Sequence, residues 1–416
     1  MPFPDDRALM SAAMAREKAV VSLTQALVRC DTQNPTESTL PAADIAAAAL
    51  ALVPGITLEF HESDEKVVNL VARVEGGLPG RRLVFSGHID TYLIGDPASW
   101  REPPLSGRIV DGRLYGRGAA DMKGGCAALV EALRVVASAR PFPGEVVLTL
   151  AGDEESMGVL GTKWLIDNVP IVHGDGVLVG DVGGPRCVRV GEKGMVWVTI
   201  TATGRQAHGA HVYTGDNAIE RLMRVLDELH HLEKLPANAP AAGTKVIDAA
   251  RLIPGADGSA ARRAMENVTI NLGEIAGGLS PNLVPERAVA GIDIRLPLGV
   301  KVAEVEEALD RIIGAHPGVT HSIIRSYEST FTDPSAPIAR VAREAIAGVL
   351  GEPVWNDMRI GGSDARLWRA AGFDTVVVGP TPRNLGGPDE SVLVAELAPL
   401  TAIYALVAKH FLEGEG

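Results

Sequence analysis

The sequence predicts an α/β protein: a mixed, mostly parallel sheet sandwiched by helices, with an inserted ferredoxin-like α+β domain. Three observations predict it. Through the first 190 residues, short and nearly continuous apolar runs alternate with segments of helical period, as in a sheet covered on both faces. From Gly191 the strands change to apolar–polar alternation, and the elements follow the order β-α-β-β-α-β. The 416 residues exceed what a single core fills. The expected division is 1–190 with 329–416 as the larger domain and 191–328 as the insert.

Val20, Leu23, Leu27 and Val28 share one face of a helix over 17–30, which Asn34-Pro35 ends. An Ala-rich helix is expected over 41–52. Residues 67–72, 83–85, 146–150 and 177–179 read as buried strands, with helices over 123–139 and 161–168. In the insert, Val196, Val198, Ile200 and Ala202 share one face of a half-exposed strand. A helix over 217–232, strands over 268–272 and 288–295, a helix over 302–313 and a strand over 320–326 complete it. The Ala/Pro/Gly-rich stretch 235–266 is expected to be a loop. Helix and strand return at 336–350 and 375–378.

A formal net charge of −13 gives no overall basic footprint for nucleic acid or anionic membranes. Cys30, Cys126 and Cys187 are odd in number and widely spaced, so they build neither a disulfide framework nor a Cys-based zinc motif. No basic region followed by an apolar run opens the chain. Glu396, Pro399 and Lys409 interrupt the apolar C-terminal stretch, and no membrane span is expected. A cytoplasmic protein is the expectation.

The chemistry gathers around Phe85-Ser86-Gly87-His88-Ile89-Asp90-Thr91, a buried strand that delivers a histidine and then a carboxylate into a loop. Asp121 lies in the glycine-rich stretch 116–125, which lacks the Gly-Lys-Ser/Thr of a phosphate loop. Glu154 and Glu155 follow a strand, and Asp181 ends another. A hydrolytic metal needs such ligands from several elements and an open position for water. Asp90 is placed to hold the other ring nitrogen of His88. Of the two adjacent glutamates, one suits a ligand and the other a general base.

Ser86-Gly87-His88-Ile89-Asp90, Gly116-Arg117-Gly118, Asp121-Met122-Lys123-Gly124-Gly125 and Gly152-Asp153-Glu154-Glu155-Ser156 together resemble the M20 metallopeptidase and amidohydrolase family, over almost the whole chain. The resemblance implies that 1–190 with 329–416 is the catalytic metal-binding domain and 191–328 a dimerisation (lid) domain. It implies a two-metal site of zinc, manganese or cobalt: His88 and Asp181 on one ion, Glu155 on the other and Asp121 bridging. Glu154 would be the base, Asp90 would orient His88, and the peptide bond after Asp121 would be cis. In Asn384-Leu385-Gly386-Gly387-Pro388-Asp389-Glu390, Gly386 stands where the family carries its last histidine ligand. One tight ion is therefore expected, the second weak or absent, with Asp389 as a candidate substitute.

The segment Gly204-Arg205-Gln206-Ala207-His208-Gly209 resembles the family's dimerisation-domain motif. It implies a homodimer in which His208, with His211 as fallback, polarises the reacting carbonyl. Asn282 and Arg295 sit where the family has ligand-binding residues, and Arg366 ends a segment, 361–366, similar to the family's glycine-rich loop before its last ligand; the two arginines suit a small carboxylate-bearing substrate. Three functions fit: cleavage of the amide of an N-acyl amino acid or dipeptide, hydrolytic deamination of a carboxylated aromatic amine such as a nitroanthranilate, or a non-catalytic binding homologue. The intact set His88, Asp90, Asp121, Glu154 and Glu155 argues against the third.

Overall fold

The computed structural model describes residues 3–249 and 258–414. The chain forms two compact units: 1–190 with 332–357 and 363–416, and 191–331 with 358–362.

The first unit is built on a mixed sheet. Its strands run in the spatial order Ile56–Glu62, Val68–Glu75, Phe142–Ala151, Gly77–His88, Gly176–Val179, Thr375–Val377 and Cys187–Glu192. Phe142–Ala151, Gly77–His88, Gly176–Val179 and Thr375–Val377 are mutually parallel, and antiparallel strands flank them. The parallel strands are apolar on both faces because helices cover both. Helices Gly124–Ser138 and Val394–Glu413 pack together and against the sheet. On the other face Trp368, Leu165, Val172 and Ile166 pack on Val84, Val147, Val177 and Val377.

Helix Val394–Glu413 is apolar enough to cross a membrane by length and composition alone, a test that a buried core helix also passes. Glu396 and Pro399 fall in its first turns and Lys409 near its end, so its middle is uninterrupted. Its side chains from Leu397 to Leu412 are mostly buried, against helices Asp6–Met14, Gly124–Ser138 and Pro337–Leu350. Strand Ile56–Glu62 was not anticipated, because its half-exposed residues lack an apolar run.

The second unit is an antiparallel sheet in the order Thr269–Gly277, Arg287–Leu296, Gly194–Thr203 and Val319–Tyr327. Helices Ala218–Glu228 and Val302–Gly314 cover one face. Val196, Val198, Ile200 and Ala202 point into that core with Ala288, Ala290, Ile292 and Ile294, as strand alternation requires. Stretch 235–266 is not simply a loop. It contains helices Ala241–Ala249 and Gly258–Glu266, which bury Val246, Ile247 and Met265. Those few apolar anchors outweigh the Pro/Gly bias; residues 235–240 are irregular, and 250–257 lie outside the described residues.

Candidate metal centre

Three parallel strands set the site. Gly77–His88 is in register with Phe142–Ala151, His88 opposite Ala151, and with Gly176–Val179, Ser86 opposite Val179. The residues after each strand therefore leave at the same edge of the sheet: Asp90, then Asp153-Glu154-Glu155, then Asp181. The carboxyl ends of parallel strands are where α/β sheets place their ligands. Burial anchors the first strand from Leu83 onward, so His88 is delivered by a rigid element.

Asp121 comes from a different direction. It sits in an irregular turn, 119–123, ahead of helix Gly124–Ser138, and its φ/ψ of −112°/97° is extended. The start of that helix lies on the backbone of Gly180. A Cβ on Gly125 would stand 1.9 Å from the Gly180 carbonyl oxygen, so only glycine permits the approach that sets Asp121 beside Asp181. The Asp121–Met122 peptide bond is cis. Buried Glu390 accepts hydrogen bonds from the N–H groups of Ala120 (3.0 Å) and Asp121 (3.1 Å) and pairs with buried Arg117 at 2.6 Å.

His88 Nε2 lies 3.1 Å from Asp121 Oδ1 and 4.0 Å from Glu154 Oε2, while Nδ1 lies 3.3 Å from Asp90 Oδ1. Asp90 is fixed in turn. Its Oδ1 accepts from the N–H of Glu154 at 3.1 Å and its Oδ2 from the N–H of Glu155 at 3.0 Å and from the Asn34 amide at 2.8 Å. Two sets of ligand atoms fall within 4.8 Å of one another among the described residues: His88, Asp121 and Asp181, and His88, Glu154 and Glu155.

Burial pushes Glu154 up to about 8, with Asp364, Asp121 and Asp181 adding to the rise and His88 opposing it. Burial, then Asp121 and Glu154, raise Glu155. Burial opposes protonation of His88, but hydrogen bonds to Asp121 and Asp90 outweigh it and hold the imidazole well above its usual range. Carboxylates this crowded in a buried site need positive charge among them. An imidazole nitrogen with hard carboxylate oxygens suits zinc, manganese or cobalt. The residues present thus fit a divalent cation.

The site also holds residues the sequence reading did not single out. Asn34 bridges Asp90 and Asp153 (3.2 Å) and accepts from Ser156 at 2.6 Å. Asp364, pushed up to about 6 by burial, accepts from Thr162 at 2.6 Å through Oδ2, while its buried Oδ1 has no hydrogen-bond partner. Tyr92 donates its N–H to Glu155 Oε1 at 3.1 Å, and its phenol stands beside the same carboxylate, whose charge, with burial, raises the phenol's pKa. In the sequence Asn34 shows only as a helix breaker. Its position one residue before a proline gave no sign of its partners.

Arg366 is buried beside the cluster. It donates to the carbonyls of Ser363 (2.7 Å) and Met157 (2.6 Å) and approaches Glu154 Oε1 at 3.9 Å. Asp389 does not substitute for the missing histidine. Its carboxylate binds Arg101 Nε at 2.8 Å and the N–H groups of Arg101 (2.8 Å) and Glu102 (3.3 Å), a commitment to a neighbouring loop. In the second unit, His208 is exposed, with Nδ1 accepting from the Ala210 N–H at 3.1 Å, and the Gly209 N–H donates to the Asn282 carbonyl at 2.7 Å. Arg295 pairs with Asp293 at 2.9 Å and donates to the Tyr327 hydroxyl at 3.3 Å.

Residues 84–410 match the model of peptidase family M20/M25/M40. The chain belongs to that family. It is an M20 hydrolase, and its candidate metal ligands lie within the matched region. A succinyl-diaminopimelate desuccinylase of Rhodospirillum centenum is 30% identical over 410 residues, covering 95% of this chain and 97% of that one. One of Cereibacter sphaeroides is 33% identical over 409 residues, covering 94% and 98%. The M20 fold recurs in a metallo-carboxypeptidase from Sulfolobus solfataricus, with a TM-score of 0.78 at 16% identity over 95% of this chain and 98% of that one. It also recurs in a dinuclear metal binding peptidase of Bacillus subtilis, with a TM-score of 0.65 at 14% identity over 96% and 99%.

Proposed function

We propose that this M20 protein hydrolyses the amide bond of a small, carboxylate-bearing N-acyl amino acid or dipeptide. The observation that carries the reading is the placement of His88 between Asp121 and Glu154 at the carboxyl edge of the sheet. The desuccinylase relatives, whose name specifies removal of a dicarboxylic acyl group, support the substrate class.

One tightly held ion of zinc, manganese or cobalt would be bound by His88, Asp121 and Asp181, with Glu155 facing a weaker second position. A cation bound there supplies Lewis acidity towards the substrate carbonyl and the attacking water. Glu154 accepts the proton of that water on its carboxylate and returns it to the leaving nitrogen. Asp90, on the Nδ1 side of His88, leaves Nε2 facing the ligand cluster. Arg366 is proposed to face a substrate carboxylate, and His208, Asn282 and Arg295 are the second unit's proposed substrate contacts.

The same reading includes a homodimer. Strand Thr269–Gly277 is a sheet edge and exposes Leu272 and Ile275, an edge that a second copy would cover. The free thiols of Cys30, Cys126 and Cys187 accord with a reducing cytoplasm.

Gly386 favours a second reading, in which the same water displaces an amine from a carboxylated aromatic ring such as a nitroanthranilate. A panel of N-succinyl and N-acetyl amino acids, dipeptides and aminobenzoates, each with zinc, manganese or cobalt, separates the two. Carboxylate release supports the first reading and ammonia release the second. No turnover of any member with any metal would overturn both.

A further inference from the structure

Tyr92 and Gly386 meet at the Glu155 side of the cluster. Gly386 adopts a left-handed φ of +70°, and a Cβ placed there would touch the Tyr92 ring at 3.8 and 3.9 Å. One buried guanidinium ties the two segments together: Arg117 donates to the carbonyls of Leu93 (3.1 Å) and Gly386 (2.9 Å). The Tyr92 N–H holds Glu155 Oε1 at 3.1 Å, and the phenol has Glu155, Glu154 and Asp121 as its acidic neighbours. Yet Tyr92 remains 48% exposed, so its side chain also faces the open side of the site.

We propose that Tyr92 closes the second cation position: its aromatic ring occupies the space above Gly386, and its backbone and phenol engage Glu155, so that the cluster keeps a single tight cation and presents a phenol to the substrate. The inference rests on the cation reading given above. The physical reason is competition for one carboxylate. A second ion held by Glu155 would share that carboxylate with the Tyr92 N–H on Oε1 and with the neighbouring phenol, and it would need a further side-chain donor from the 386 side, where glycine offers none. Arg117 makes this wall rigid, because moving either segment would leave a buried guanidinium donor without its acceptor.

The test counts metal in the whole purified chain. Zinc and manganese per chain are measured after dialysis, and binding of any second equivalent is titrated calorimetrically. The wild type is compared with Tyr92→Ala and with Tyr92→Ala/Gly386→His. Histidine is among the residues that tolerate a left-handed φ better than most, so the double variant is admissible in backbone terms. Circular dichroism and thermal unfolding confirm that each variant is folded. The expected result is one tight equivalent in the wild type and two in the double variant, its second binding at least tenfold tighter than in the wild type. Two tight equivalents in the wild type would overturn the proposal. So would a folded double variant that binds no more than the wild type. A wild type that binds no cation at all would overturn the cation reading itself, which makes the two failures distinguishable.

Discussion

The Asp90 carboxylate accepts the backbone N–H of Glu154 at 3.1 Å while lying 3.3 Å from the ring of His88. One buried side chain thus fixes both the candidate ligand and the candidate base, which arrive on different strands. Replacing Asp90 by Ala removes the carboxylate 3.3 Å from His88 Nδ1, leaving that nitrogen only the residue-90 carbonyl at 3.2 Å, and strands two backbone donors. Metal affinity is expected to fall about 10–100-fold, with a parallel loss in kcat. Calorimetric titration with zinc and steady-state assays measure the two effects separately.

Glu154 lies close enough to His88 to belong to a ligand set, so its role needs its own discriminating variant. Glu154→Gln keeps shape and volume but cannot take a proton. Activity should fall by roughly 10²–10⁴-fold, with the metal content unchanged. A variant that loses its metal would make Glu154 a ligand instead, and one that keeps its activity would remove it as the base.

Asn34 satisfies Asp90, Asp153 and Ser156 at once. Asn34→Ala should cost about 1–3 kcal/mol, because buried polar groups are left unpaired. Urea unfolding monitors the loss. Activity should fall further than stability alone explains, since Asp90 is loosened.

Lys193 lies in the second unit, with Nζ donating to the carbonyl of Asn267 at 2.8 Å and to the Thr269 hydroxyl at 3.3 Å. Burial, with Arg295 nearby, lowers it to about 7. Its folded-state value lies below that of the unfolded chain, so between about pH 7 and pH 10 the unfolded chain binds more protons. The wild type should therefore gain stability across that window, relative to Lys193→Met, by about 1–4 kcal/mol. Below pH 7 the lysine is protonated in both states and the difference should be flat. Urea unfolding of both proteins at pH 6, 8 and 9.5 checks the slope.

Much of the site was legible in the sequence because the determinants are local. A buried strand ends at a fixed residue, and parallel neighbours in register end at the same edge. His88, Glu154, Glu155 and Asp181 could therefore be placed from apolar runs alone, and the Gly124-Gly125 pair marked a close approach near Asp121. Asp90 apart, the residues that hold these groups were not legible. Asn34 lies 56 positions from Asp90, and Arg117 lies 273 from Glu390, so no periodicity links them. The helices within 235–266 were hidden because a few buried anchors, rather than composition, stabilise them.

The sequence by itself determined the order of the elements and the acids at the strand ends, since strand alternation and helical period act over a few residues. It also showed that Gly386 carries no side-chain ligand atom. Only the tertiary structure decided which side chains surround it. Tyr92 and Gly386 come together through a buried arginine that binds both segments, and Asp389, the other candidate, is drawn away by Arg101. Such competition between partners for a single carboxylate depends on distances of a few ångströms between remote segments, which residue order does not encode in any local pattern.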